Sequence, residues 1–165
     1  MLFQSHLTDK AAELLKLSGE KHFRIATAES CTGGLIAALM TEIPGSSVVV
    51  GRSFITYSNR AKHEILGVKA ETLKAHGAVS EEVVREMAEN TFNMTTAHLT
   101  IAVSGIAGPG GGSAEKPAGT VHMATYMEDG GIDHIKQSFG DIGRTEVRLA
   151  TVDAAMDMLL SRMKA

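Results

Sequence analysis

The sequence predicts an α/β fold, a three-layer α/β/α sandwich built around a mixed β-sheet. Three observations carry this expectation. Helical stretches alternate with short apolar strands along most of the chain. One hairpin, turning at Glu128-Asp129-Gly130-Gly131, breaks that alternation and brings antiparallel strands into the sheet. A length of 165 residues, 44% of them hydrophobic, suffices for one domain with a two-sided core and falls short of two ordinary domains. No internal repeat, low-complexity tract or linker divides the chain, so residues 1–165 are expected to form a single domain.

The elements follow in order. "LTDKAAELLKLSGE" (7–20) reads as a helix, with Thr8 as N-cap, Ala11, Leu14, Leu15 and Ser18 at helical spacing, and Gly19 as the stop. "HFRIATAE" (22–29) is a β-rich run ending at Glu29. "TGGLIAALMTEI" (32–43) is helical and stops before Pro44-Gly45. "SVVVGRSFITYS" (47–58) is apolar almost up to Tyr57, which predicts a buried strand, with Gly51 as a bulge or a point of close approach. Short helices are expected at 60–66 and 70–75. "SEEVVREMAENTFNMTTA" (80–97) opens on Ser80 and two acidic residues and repeats apolar positions at Val83, Val84, Met87 and Ala88, the pattern of an amphipathic helix. "HLTIAVSG" (98–105) is a strand; "GTVHMATYM" (119–127) and "IDHIKQSFG" (132–140) are the two arms of the hairpin. A long helix over 144–163 carries Val147, Ala150, Ala154, Met158 and Leu159 on its inner side.

Composition excludes several classes of function. A net charge of -3, with lysines and arginines scattered, exerts no bulk pull toward nucleic acid. The opening "MLFQSHLTDK" lacks the basic start and apolar run of a signal peptide, and no stretch approaches the roughly 20 apolar residues of a membrane span. A cytoplasmic location and no membrane partner are expected. The single cysteine, Cys31, excludes an internal disulfide framework and a multi-cysteine zinc site. Among seven histidines the nearest approach to metal spacing is His63-Glu64-Ile65-Leu66-Gly67, which has glycine where HExxH requires its second histidine. No metal and no cofactor are expected.

In open α/β sheets, sites gather where strands end and loops run into helices, and three such loops carry unusual chemistry. In "TAESCTGGLIAALM", Ser30 stands between a strand and a helix, where free main-chain N–H groups and the helix dipole suit a phosphate or a developing oxyanion. Thr32, Gly33 and Gly34 continue it, the glycines allowing a ligand or a neighbouring backbone to approach. The alternative is plain structure: Ser30 or Thr32 caps the helix and the glycines serve packing. Cys31 is a rival nucleophile, opposed by the tendency of free cysteines to be buried. In "ITYSNRAKHEILGV", Tyr57, Ser58, Asn59 and Lys62 fall where a strand gives way to a helix. A lysine beside a serine hydroxyl in a dry pocket loses its proton near neutral pH and becomes that serine's base, whereas a solvated lysine on a helix does nothing of the kind. The third loop, "SGIAGPGGGSAEKPAG" (104–119), holds six glycines, Gly105 and Gly108 among them, and so can turn backbone amides toward a ligand. It is neither a Walker A motif nor a GxGxxG turn.

Together, "TAESCTGGLIAALMTEIPGSS", "TYSNRAKHEILGV", "GAVSEEVVREMAE" and "SGIAGPGGGSAEKPAGTVHMA" resemble the CinA C-terminal domain family, over roughly residues 7–160. Stand-alone members of that family are nicotinamide mononucleotide (NMN) deamidases. The resemblance implies the family's α/β/α sandwich and metal-free hydrolysis of NMN to nicotinate mononucleotide and ammonia, in pyridine nucleotide salvage. It implies Ser30 as nucleophile, Lys62 as its base, and Tyr57 as an aid to the pair or to substrate. It places Ser47, Ser104 and Arg144 on the nucleotide pocket, Ser104 departing mildly from a family that often has threonine there. The phosphate would fall to Arg144 or to the glycine-rich loop. In longer family proteins this unit follows a molybdopterin-binding-like domain, for which this chain has no room. Two rivals remain: a nucleotide-binding regulatory module that hydrolyses nothing, and a cysteine hydrolase using Cys31. A homo-oligomer, a dimer, is the expected assembly, on the strength of apolar content and nine methionines.

Overall fold

The computed structural model describes residues 2–165. Its elements are α1 (Ser5–Glu20), β1 (Ile25–Glu29), α2 (Leu35–Thr41), a 3-10 turn at Ser46–Val48, β2 (Val50–Ile55), α3 (Asn59–Leu66), α4 (Ala70–His76), α5 (Glu81–Asn93), β3 (Leu99–Gly105), β4 (Thr120–Met127), β5 (Gly131–Ser138) and α6 (Arg144–Lys164). The strands form one sheet in the order β2-β1-β3-β4-β5. β1 runs parallel to both β2 and β3, and the hairpin adds β4 and β5 antiparallel, so the sheet is mixed as expected.

Alternation along the strands sorts side chains onto two faces. Ile25, Leu99, Ile101, Val103, Val121 and Met123 meet α1, α2 and α6 in the larger core. Ala28, Ala102 and Ala124 face the other way, under Val83, Val84 and Met87 of α5 and Leu66 of α3. The small alanines on that face let α5 lie close to the sheet. β1 and β3, covered on both sides, are buried almost throughout.

Four local expectations are corrected. Helix α1 starts at Ser5, a turn before its supposed N-cap: Thr8 lies inside it, its hydroxyl donating to Ser5 O at 2.8 Å, and Gly19 is within the last turn rather than beyond it. Residues 32–34 are a turn, since Gly33 (φ 59°) and Gly34 (φ 99°) take left-handed backbone, and the helix begins only at Leu35. α5 ends at Asn93, short of residue 97. β2 is not a buried strand: it is an edge strand, largely exposed, because only β1 pairs with it. Val50 packs partly against the larger core and Phe54 partly against the α5 side, while Ile55 is 54% exposed. Gly51 is a bulge, skipped where the register passes from Ile25–Val50 to Ala26–Arg52, and no other group approaches it closely.

Candidate active site

The carboxyl ends of β1, β2 and β3 lie side by side, and the loops leaving them enclose a pocket of about 270 Å³, close to the lower end of small-ligand sites at roughly 300 Å³. Ser30 leaves β1 with its amide donating to Val103 O at 3.1 Å, which keeps it in line with the sheet. The chain then turns, Gly33 N donating to Ser30 O at 3.0 Å. From the end of β2, Ser58 caps α3 by accepting the Ala61 amide at 3.0 Å. That cap orients the first turn of α3 so that Lys62 points back under the loop. Its Nζ lies 2.9 Å from Ser30 Oγ and 2.8 Å from the Thr56 carbonyl oxygen.

Lys62 is 1% exposed. Burial pushes its ammonium down from the ordinary lysine range to about 8, and no carboxylate is set against it to restore the charge. Thr56 O accepts one N–H, leaving the neutral amine's lone pair free for the serine proton. Cys31 is 4% exposed, and burial pushes its thiol up to about 11. The thiol form dominates there at neutral pH, which removes the chief support for Cys31 as nucleophile.

Arg144, the first residue of α6, crosses the mouth of the pocket. It donates from Nη2 to the Tyr57 hydroxyl at 2.6 Å and from Nη1 to Gly108 O at 3.0 Å, joining the second and third loops. Ser104, 1% exposed at the end of β3, forms part of the floor. The glycine-rich loop returns on itself, Gly119 N donating to Ile106 O at 2.7 Å, and Lys116 ties it to His76 O at 2.6 Å. A Cβ on Gly105 would stand 2.5 Å from Val121 Cγ2, so packing against β4 demands glycine there; Gly108 takes φ 79° and precedes a cis proline peptide.

Of the residues singled out in the sequence, Ser30, Tyr57, Lys62, Ser104, Gly105, Gly108 and Arg144 all line this pocket. Thr32, Gly33 and Gly34 do not. Thr32 is buried with its hydroxyl donating to Glu29 at 2.6 Å, Gly34 gives its amide to the same carboxylate, and Gly33 faces Arg148. They shape the turn rather than touch the cavity. Ser47 is also outside: it is exposed in the 3-10 turn before β2, at the opposite end of that strand from Tyr57. Neither Ser30 nor Thr32 caps α2. Glu29 does, from the end of β1, through the amides of Gly34, Ile36 and Ala37. An acid closing a run of small buried residues was the available signal for Glu29. Arg148, which reads as one more charge on a helix, gave none.

A family model described as the CinA C-terminal domain matches residues 7–163. The chain belongs to that family. It is 49% identical over 147 residues to the nicotinamide-nucleotide amidohydrolase PncC of Enterobacter agglomerans, covering 88% of each chain. A putative competence-damage inducible protein of Caldanaerobacter subterraneus is 43% identical, and there the chain spans only 35% of the relative's length. Among solved structures, the competence/damage inducible protein CihA from Agrobacterium tumefaciens has a TM-score of 0.97 at 48% identity, covering 100% of this chain and 99% of that one. The competence damage-inducible protein A of Klebsiella pneumoniae has a TM-score of 0.91 at 34% identity, covering 96% of this chain and 97% of that one. The α/β fold is thus the fold of the CinA C-terminal domain, and the pocket occupies the carboxyl edge of its parallel strands. No helix among the described residues is long and apolar enough to cross a membrane.

Proposed function

We propose that this chain is a nicotinamide-nucleotide amidohydrolase that converts NMN and water to nicotinate mononucleotide and ammonia by a Ser30/Lys62 mechanism. The observation that carries it is the buried 2.9 Å contact between Lys62 Nζ and Ser30 Oγ, at a lysine whose burial brings its pKa down to about 8. The similarity to PncC supports the choice of substrate. Neutral Lys62 takes the Ser30 proton as Oγ attacks the carboxamide carbon. With the Gly33 amide given to Ser30 O and the Gly34 amide to Glu29, the donors left in the turn for the developing oxyanion are the Cys31 and Thr32 amides. The lysine then returns its proton to the nitrogen, ammonia leaves, and an acyl-serine remains. Water, deprotonated by Lys62, attacks that ester and releases the carboxylate and Ser30. The pyridinium ring withdraws electrons from the carboxamide, which eases the first attack. Arg144 at the rim carries the positive charge suited to the substrate's phosphate, with Tyr57 held against it.

The test is ammonia release from NMN in the presence of a chelator. Wild type and Cys31→Ala are expected to be active. Ser30→Ala and Lys62→Arg are expected to bind NMN and release about 1,000-fold less ammonia or none, since arginine does not deprotonate in proteins. Wild type that binds NMN without releasing ammonia would mark the pocket as a nucleotide cradle instead.

A further inference from the structure

The Glu29 side chain is fully buried and accepts five hydrogen bonds, none of them from a basic residue. A buried carboxylate without a counter-charge is costly unless donors occupy its lone pairs. Four of the five donors come from the stretch immediately after Ser30: Thr32 Oγ1 at 2.6 Å, Gly34 N at 3.0 Å, Ile36 N at 3.1 Å and Ala37 N at 3.0 Å. The fifth is Thr27 Oγ1 at 3.1 Å, on β1 itself. An ordinary helix cap sits directly before the first turn and holds only the helix. Here the cap sits on the strand, and the segment it closes off from strand to helix contains Ser30.

The opposite side of the same turn is held from α6. Arg148 donates from Nε to Cys31 O at 3.1 Å and from Nη2 to Thr32 O at 3.0 Å. A Cβ on Gly33 would come within 3.4 Å of that guanidinium, so the turn and the arginine fit closely. The hydrogen bonds of Ser30 Oγ and Lys62 Nζ include neither residue. Given Ser30 as the nucleophile, as proposed above, we infer that Glu29 and Arg148 are positioning residues that clamp the turn by its N–H and C=O sides and thereby hold Ser30 Oγ against Lys62 Nζ. The anchor strand, the turn and α6 act as three fixed points around an atom whose misplacement by about 1 Å is enough to slow catalysis about 100-fold.

The variants Glu29→Gln and Arg148→Lys test this. The first is isosteric but sets an NH₂ against amide donors, and the second keeps the charge but loses the planar fork. Both are expected to lower kcat for ammonia release from NMN by about 100-fold with KM little changed. Gly45→Ala, which strains a left-handed position remote from the pocket, serves as the control that lowers thermal stability and leaves kcat intact. A second readout needs no amide substrate: labelling of Ser30 by a fluorophosphonate, in which Oγ displaces fluoride from phosphorus and Lys62 takes the proton. Labelling is expected to slow by a similar factor in both variants while its pH midpoint stays near 8, because Lys62 itself is untouched. Glu29→Gln or Arg148→Lys protein that melts lower yet labels and turns over at the wild-type rate would reduce the two residues to structural caps. Should Glu29→Gln not fold, Arg148→Lys decides by the same readouts. Wild type that labels at Ser30 and releases no ammonia would overturn the amidohydrolase reading alone and leave the positioning claim to the labelling rates.

Discussion

As the proposed base, Lys62 is the residue on which chemistry and stability pull in opposite directions. Its lowered pKa makes roughly a tenth of it neutral at pH 7, so turnover should rise with pH and level off above about 8. The sign for stability follows from proton counting. Between about 8 and 10.5 the unfolded chain binds a proton that the folded protein does not, so the native state gains stability across that window as pH rises. Below it the buried site bears the full penalty, on the order of 3 kcal/mol at about 1.4 kcal/mol per pKa unit. Lys62→Met removes that penalty and leaves Thr56 O unpaired, a loss of about 1–3 kcal/mol. The variant is therefore expected to be inactive yet at least as stable as wild type in urea at pH 7. A stability loss of several kcal/mol there would show that the lysine is held for structure. The sequence marked Lys62 as a candidate through its distance from Tyr57 and Ser58 at the start of a helix, but its burial had to come from α3 lying over the sheet.

Among the elements, the glycine-rich loop and the hairpin strand that follows it depend on two backbones passing at contact distance. At Gly119, with φ 86°, an added Cβ would fall inside the contact radius of Gly140 O and 2.5 Å from Gly140 N. Neither partner is a flexible side chain, so the backbone itself must move. Gly119→Ala is expected to lower stability by about 2–4 kcal/mol, or roughly 5–12 °C in Tm, and to weaken NMN binding by displacing the loop. Gly45→Ala, where φ is 85° and the space is open, should lose only about 1 kcal/mol. Equal melting temperatures for the two variants would contradict this account. Both glycines look alike in the sequence, because only packing distinguishes a close approach from an ordinary turn.

Across the whole molecule, the layer of α5 meets the sheet through polar groups as well as alanines. His122 of β4 shares a 2.9 Å hydrogen bond with His134 of β5, whose ring lies 3.5 Å from Glu81 at the start of α5. Burial first, and then the positive charges of His134, Lys136 and Lys116, push His122 down to about 4, with Glu81 opposing; His134 is also lowered. From about pH 6.5 down to 4 the unfolded chain takes up a proton at His122 that the folded chain refuses, so stability is lost as pH falls through that window. His122→Gln is expected to move the midpoint of acid unfolding to lower pH, read by circular dichroism. An unchanged midpoint would locate the acid sensitivity elsewhere.

What the sequence determined by itself was the identity and order of the elements and the loops that carry the site. Helical and strand periodicities are local, and the serine, lysine, tyrosine and arginine stand beside strand ends or helix starts that those periodicities mark. The exposure of β2 was not legible, because an apolar run does not say whether a strand has one neighbour or two. Nor was the departure of Ser47 from the pocket, which follows from the direction of β2, since that strand carries Tyr57 to one edge of the sheet and leaves Ser47 at the other. Tertiary structure alone brought Lys62 within reach of Ser30, by setting β2 parallel to β1 so that their loops leave on the same side. It alone turned Glu29 into the anchor of the turn that follows Ser30, because a carboxylate's partners lie wherever the chain, once folded, must place its unpaired amides.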